Sequence, residues 1–154
     1  MNFEIKQITC QDISALNSLL DCFEEAFDDA ETYGENRPDH SYLKELISSD
    51  MFFALVAMKD DVVIGGLTAY ELKKFERKRS EIYIYDLAVS NAYRRKGVAS
   101  ALIKELQPIA LKRGAWVIYV QADSEDEPAV KLYETLGKRE DVLHFDIPVV
   151  ATSR

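Results

Sequence analysis

The chain has little of what metal and disulfide chemistry require. Its 154 residues include two cysteines, Cys10 and Cys22, and two histidines, His40 and His144. The cysteine spacing matches no metal or redox motif, and there is no His-x-x-x-His pair, so no structural or catalytic metal is expected. Cys22 lies on a helix-like stretch between Leu20 and Phe23 and reads as buried filler. No apolar run approaches the roughly 20 residues that cross a bilayer. The start, Met-Asn-Phe-Glu-Ile-Lys, has no basic stretch followed by an apolar core. Neither membrane insertion nor secretion by that route is expected, which leaves a cytoplasmic protein. Internal repeats and low-complexity linkers are absent too.

What is present is an ordinary globular balance, 47% hydrophobic and 30% charged. A chain of this length buries roughly two-thirds of its unfolded surface, so a single domain over residues 1–154 needs no staples. The formal net charge is −8, from 27 acidic and 19 basic residues. Phosphate backbones must be met by Lys and Arg, so nucleic acid is a poor partner and a cation a better one. An acidic balance that only keeps a protein in solution looks the same.

Phe3 to Ile8 alternates apolar and polar residues and predicts a strand. Thr9 or Asp12 can cap the next helix, where Ile13, Leu16, Leu19, Leu20, Phe23 and Phe27 recur at helical spacing. Asp28 to Asp39 is polar. Ser41 to Ser48 predicts a short helix. Phe52 to Met58 and Val62 to Tyr70 read as a hairpin across Lys59-Asp60-Asp61. Glu81 to Val89 is rich in β-branched and aromatic residues and predicts a central strand. Gly97 to Lys112 is a helix that Pro108 threatens to kink and Gly114 can end. Trp116 to Ala122 is a strand, Ala129 to Leu136 a helix, and Val142 to Ile147 a last strand. The order is β-α-α-β-β-β-α-β-α-β. It implies an α/β (α+β) fold with a mixed, mostly antiparallel sheet and one parallel pair from Glu81 to Ala122.

The sharpest feature is Asp86-Leu-Ala-Val-Ser-Asn-Ala-Tyr-Arg94-Arg-Lys-Gly97-Val-Ala99. A strand runs through a polar turn into a helix. The first helical amides have no internal partner and the dipole adds positive charge, so an anion suits them. Gly97 lets backbone approach a phosphate, and Arg94, Arg95 and Lys96 add charge. A capped helix start with solvated basic residues is the alternative. Neither a Walker loop nor a Gly-x-Gly-x-x-Gly fingerprint is present.

Arg94-x-x-Gly97-x-Ala99 resembles the pyrophosphate-binding motif of the Gcn5-related N-acetyltransferases. Leu87-Ala88-Val89 is similar to the strand where that family pairs its backbone with pantetheine. Ala129-x-x-Leu132-Tyr133-x-x-Leu136-Gly137 resembles the second family signature, whose tyrosine lies near the coenzyme sulfur. The signatures stand in the family's order and at its distance. Longer runs resemble the aminoglycoside 3-N-acetyltransferases of the first type, which inactivate gentamicin-class antibiotics: Arg79 to Ser90, Val117 to Asp123, Pro128-Ala-Val and His144-Phe-Asp-Ile147. Phe75-Glu76 and Asp39-x-x-Tyr42-Leu are similar too. Two positions depart from the pattern. Asp126 stands in a slot often filled by Asn, and Lys138 replaces the usual aromatic.

The resemblance implies acetyl-CoA as cosubstrate, held by Leu87, Ala88 and Val89 and by the turn Arg94, Arg95, Lys96, Gly97, Val98, Ala99 and Ser100. It implies Tyr133 as the group that protonates the departing sulfur; a tyrosine that only packs is the other reading. An acceptor ammonium must also lose a proton, and a carboxylate is the natural base. Asp86 is the first choice, because an acid on a strand expected to be buried is costly unless used or paired. A structural pairing with Arg or a backbone amide is the alternative, and Asp123 is the runner-up base. For a polycationic acceptor, Asp123 and Asp146 are the leading carboxylates, followed by the Asp28 to Glu35 stretch; a solvated acidic face is the bland reading. A polyamine or protein-lysine acetyltransferase and a non-catalytic coenzyme-A-binding regulator are the competing functions. Exposed aromatics would permit a homodimer.

Overall fold

In the computed structural model, which describes residues 1–150, the first alternating stretch forms β1 (Glu4–Gln7) and the apolar helical spacing forms α1 (Ile13–Phe27). Asp12 stands at the N-cap position of α1 but makes no cap bond. Its carboxylate instead accepts from Lys6 Nζ at 3.1 Å and Thr9 Oγ1 at 3.2 Å. A π-helical turn follows at Glu31–Glu35. Helix α2 (His40–Ile47) is capped by the Asp39 side chain, which accepts from the Tyr42 amide at 2.9 Å. Then come β2 (Phe52–Lys59), β3 (Val62–Lys73), β4 (Ser80–Val89), α3 (Val98–Arg113), β5 (Ala115–Val120) and α4 (Glu127–Leu136). Pro108 lies inside α3, which runs on past it to Arg113.

The five strands form one sheet in chain order. The first four are antiparallel neighbours, and β5 joins β4 in parallel. Phe52, Ala54 and Val56 of β2 face Leu16, Leu19 and Phe23 of α1 and Leu43 and Ile47 of α2 in one core. By strand alternation, Leu55, Leu67, Ile82 and Ile84 face the other way, all essentially inaccessible. Helix α3 packs against β2, β3, β4 and β5. Its Leu102 and Leu106 are fully buried. Two-sided burial explains why β2 reads as the unbroken apolar run Phe-Phe-Ala-Leu-Val-Ala. At the edge of this core, Arg113 Nε and Nη2 both lie 2.7 Å from Glu71 Oε1, a buried carboxylate.

Contacts divide the chain into two units, Met1–Gln121 and the segment from Ala122 onward. The first unit holds the sheet and α1 to α3; the second holds α4 and an extended stretch. The strand expected at Val142–Ile147 is not formed. Val142, Leu143, Phe145 and Ile147 are all exposed. An apolar pattern favours a strand only where a neighbour supplies hydrogen bonds, and among the described residues this segment has no ladder partner.

Candidate active site

The site is built where β4 parts from β5. Their ladder runs from Ser80 to Ile84 and ends at the Ile84–Val120 pair. On its other side β4 stays paired with β3 as far as Val89, opposite Gly65. Ala69 faces Ile84 and Thr68 faces Asp86, so Tyr85 is an extra residue, a β-bulge. A bulge bends its strand and sharpens its twist. From Tyr85 to Val89, β4 therefore keeps one backbone edge that β5 does not meet. Leu87, Ala88 and Val89 lie on that stretch, where an amide-bearing chain can pair with it.

The strand runs out into a short 3-10 turn, Asn91–Tyr93, and then into α3. Arg95 and Gly97 have φ of 61° and 81°. The first helical bond closes from the Ala101 amide to the Gly97 carbonyl at 3.0 Å. The amides of Val98, Ala99 and Ser100 thus precede the helix ladder, and no side chain caps them. A Cβ placed on Gly97 would meet nothing within 4 Å. The space over these amides is open, and the positive φ is one that glycine adopts without strain. Arg95 and Lys96 are exposed beside it.

Arg94, expected to add charge toward a phosphate, also makes bonds within the protein. Its Nε donates to the Val89 carbonyl at 3.3 Å and its Nη2 to the Ala26 carbonyl at 3.1 Å. The side chain ties the last turn of α1 to the end of β4. Its charge complements the negative end of the α1 dipole, which has no basic residue of its own in the last turn.

Asp86 lies just past the bulge, half-buried. Oδ1 accepts from the Tyr33 hydroxyl at 2.9 Å and Oδ2 from the Thr68 hydroxyl at 3.0 Å. The structural pairing considered from sequence, with an Arg or a backbone amide, is not what holds it. Both donors are neutral, and each oxygen has a further lone pair open to another donor. Thr68 is the cross-strand partner of Asp86. Tyr33 comes from the π-helical turn; burial, and next the Asp86 charge, push its phenol well above the ordinary tyrosine range. Neither Tyr33 nor Thr68 was marked by sequence. The one available signal was a lone aromatic inside the polar stretch from Asp28 to Asp39.

The remaining expected residues divide between the two units. Asp28 and Glu35 belong to the first, both exposed, with Asp28 the left-handed C-cap of α1. Nearby acids are already paired: Arg37 Nη2 lies 2.7 Å from Asp21 and 3.2 Å from Glu24. In the second unit Asp123 and Asp146 are exposed, and Asp146 Oδ1 lies 2.8 Å from His144 Nε2. Asp126 caps α4 by accepting from the Ala129 amide at 3.3 Å, which gives this departure from the motif a local role. Tyr133 sits half-buried on α4. Burial, and next the Asp126 charge, push its phenol up to about 12, so it is protonated at neutral pH.

The stretch of β4 that β5 does not meet thus leads into the uncapped start of α3. The model of the acetyltransferase (GNAT) family matches residues 15–137. The chain belongs to that family. This GNAT acetyltransferase is 54% identical to a solved aminoglycoside acetyltransferase from an uncultured soil metagenomic sample, with a TM-score of 0.95 over 97% of this chain and 100% of that one. A second soil metagenomic aminoglycoside acetyltransferase, solved in complex with sisomicin, is 28% identical, with a TM-score of 0.89 over 96% of each chain. Over 59 residues the chain is 36% identical to the thialysine N-epsilon-acetyltransferase of Sus scrofa, covering 38% of this chain and 35% of that protein. It spans from about a third to two-fifths of the length of the curated relatives it matches. The GNAT acetyltransferases use acetyl-CoA as acyl donor, and the open amides of Val98–Ser100 and the free edge of β4 fit such a group.

Proposed function

We propose that this GNAT acetyltransferase transfers the acetyl group of acetyl-CoA to the 3-amino group of an aminoglycoside of the gentamicin class. Residues 1–154 act as a single N-acetyltransferase domain in this reading, and the family match spans both units. The observation that carries it is the Asp86 carboxylate, held by the Tyr33 and Thr68 hydroxyls on the stretch of β4 that β5 does not meet. The long runs that resemble the aminoglycoside 3-N-acetyltransferases and the 54% identity to an aminoglycoside acetyltransferase support the acceptor class.

Acetyl-CoA supplies a thioester whose carbonyl carbon an amine can attack. The Val98, Ala99 and Ser100 amides, with Arg95 and Lys96 beside them, bind the pyrophosphate, and the Leu87–Val89 backbone aligns the pantetheine arm. Positioning of this kind is a large source of rate. Asp86 takes the proton from the acceptor ammonium, directly or through water. As the C–N bond forms and the C–S bond breaks, Tyr133 delivers its Oη proton to the leaving sulfur, and the proton shed by the new amide nitrogen restores the phenol. Asp123, Asp146, Asp28 and Glu35 attract the polycation through charge-assisted hydrogen bonds and steering. The product is an N-acetylated antibiotic, so the activity confers resistance, and a cytoplasmic location suits a reaction that draws on acetyl-CoA.

A coenzyme A release assay with gentamicin, spermidine and a lysine peptide tests the reading. Release is expected with gentamicin at a much higher kcat/KM than with the other two. Preference for spermidine or the peptide would move the acceptor class, and absence of release with any amine would point to a binding protein.

A further inference from the structure

We propose that Tyr33 is a positioning residue for Asp86, and that the Glu31–Glu35 turn is built to deliver its hydroxyl. The inference rests on the reading of Asp86 as the proton acceptor and adds what keeps that carboxylate aimed.

The turn is π-helical, a rare geometry that recurs at functional sites. It is pinned to α1 by contacts distant in sequence. Arg37 Nε donates to the Tyr33 carbonyl at 2.7 Å, while its Nη1 reaches the Asn17 carbonyl at 3.4 Å. The same guanidinium holds Asp21 and Glu24. Gly34 is pressed against Glu24 so closely that a Cβ there would lie 2.8 Å from the carboxylate. The Tyr33 ring then packs on Phe23 and Phe27, with centroids at 5.8 and 5.3 Å. These contacts leave its hydroxyl on Asp86, 53 residues away in sequence.

The choice of partners carries the argument. Were the need only to neutralise a half-buried acid, Arg37 is four residues from Tyr33. It is turned instead to Asp21 and Glu24, and Asp86 receives one hydroxyl on each oxygen. Two neutral donors fix the carboxylate plane without cancelling its charge, and each oxygen keeps a lone pair for an incoming N–H. A base needs that combination, since orientation and charge both act in the proton transfer. The elevated phenol range of Tyr33 keeps it a donor at working pH.

The test is steady-state coenzyme A release by Tyr33→Phe, Thr68→Val, Asp86→Asn and the Tyr33→Phe/Asp86→Asn double variant. The acceptor is whichever amine the parent acetylates best, so a wrong acceptor class leaves the comparison intact. Tyr33→Phe keeps the packed ring and should lower kcat about 10-fold, with KM for both substrates within about twofold of the parent. In the double variant the Tyr33 change should add almost nothing, because residues acting through one another are not additive. Thr68→Val should lower kcat in the same way, and Thr68→Ser should restore it; this pair carries the test if Tyr33→Phe does not fold. Parental kcat in folded Tyr33→Phe, or a full 10-fold loss on top of Asp86→Asn, would overturn the proposal. Parental turnover in Asp86→Asn would remove the base reading and this inference with it.

Discussion

The Arg94 guanidinium donates to the Ala26 carbonyl 3.1 Å away, joining the last turn of α1 to the strand end that precedes the turn into α3. The second bond of that side chain, to the Val89 carbonyl, holds the same junction. A lysine keeps the positive charge but has a single ammonium on a flexible stem and cannot reproduce the fork. Arg94→Lys should therefore weaken acetyl-CoA binding about as much as Arg94→Met, on the order of 10-fold, the scale of one or two charged hydrogen bonds. Calorimetry distinguishes the cases: parental affinity in Arg94→Lys would show that charge alone matters.

Tyr133 should act as an acid across the accessible pH range. Its phenol is raised from the ordinary 10 to about 12, so alkali reaches it later than a normal tyrosine. A raised value means the proton is retained below about pH 11, and no alkaline fall in kcat near pH 8 to 9 should trace to this group. Tyr133→Phe should cost about 10–1000-fold in turnover, the range of a positioned acid or somewhat below it, with donor affinity unchanged. A pH–rate profile of both proteins checks this. Parental turnover in Tyr133→Phe would make the residue a packing tyrosine.

Much of this was readable from the sequence because it is local. The periodicity of α1, the β-branched run of β4 and the Gly97 entry to α3 each depend on neighbours a few residues apart. The approach of Tyr33 to Asp86 does not: it is set by Arg37 and Gly34 folding a polar stretch back on α1, and a lone aromatic in that stretch does not name its partner. Arg94 was legible as a charge but not as a bridge, because its carbonyl partners lie on two different elements. Residues 142–147 failed in the opposite sense. Their apolar pattern is local and clear, but a strand also needs a partner edge, which no local pattern supplies.

The Arg113–Glu71 pair should matter for stability. Glu71 is 4% exposed, and the Arg113 guanidinium lies 2.7 Å from it. Removing the cation leaves a buried carboxylate uncompensated, which typically costs about 3–5 kcal/mol. Arg113→Met should lose about 3 kcal/mol or more in urea unfolding. Replacing both, as Arg113→Met with Glu71→Leu, should recover most of it. A single variant as stable as the parent would show that water already screens the pair.

Acceptor recognition should be electrostatic and separable from donor recognition. Asp123→Asn and Asp146→Asn should each raise the KM for gentamicin and leave that for acetyl-CoA nearly unchanged. The gentamicin KM of the parent should rise with added salt, as exposed charges are screened beyond about 8–10 Å at physiological ionic strength. Saturation curves at two salt concentrations test both statements. Parental gentamicin KM values in both variants would move the binding carboxylates elsewhere, first to Asp28 and Glu35.

The most direct measurement is the NMR spectrum of the product formed when the parent protein is incubated with acetyl-CoA and gentamicin. The account predicts a single new acetyl group on the 3-amino nitrogen, formed in step with coenzyme A release and reduced sharply in Asp86→Asn. Unchanged gentamicin, or an acetyl group on a different amine, would contradict it.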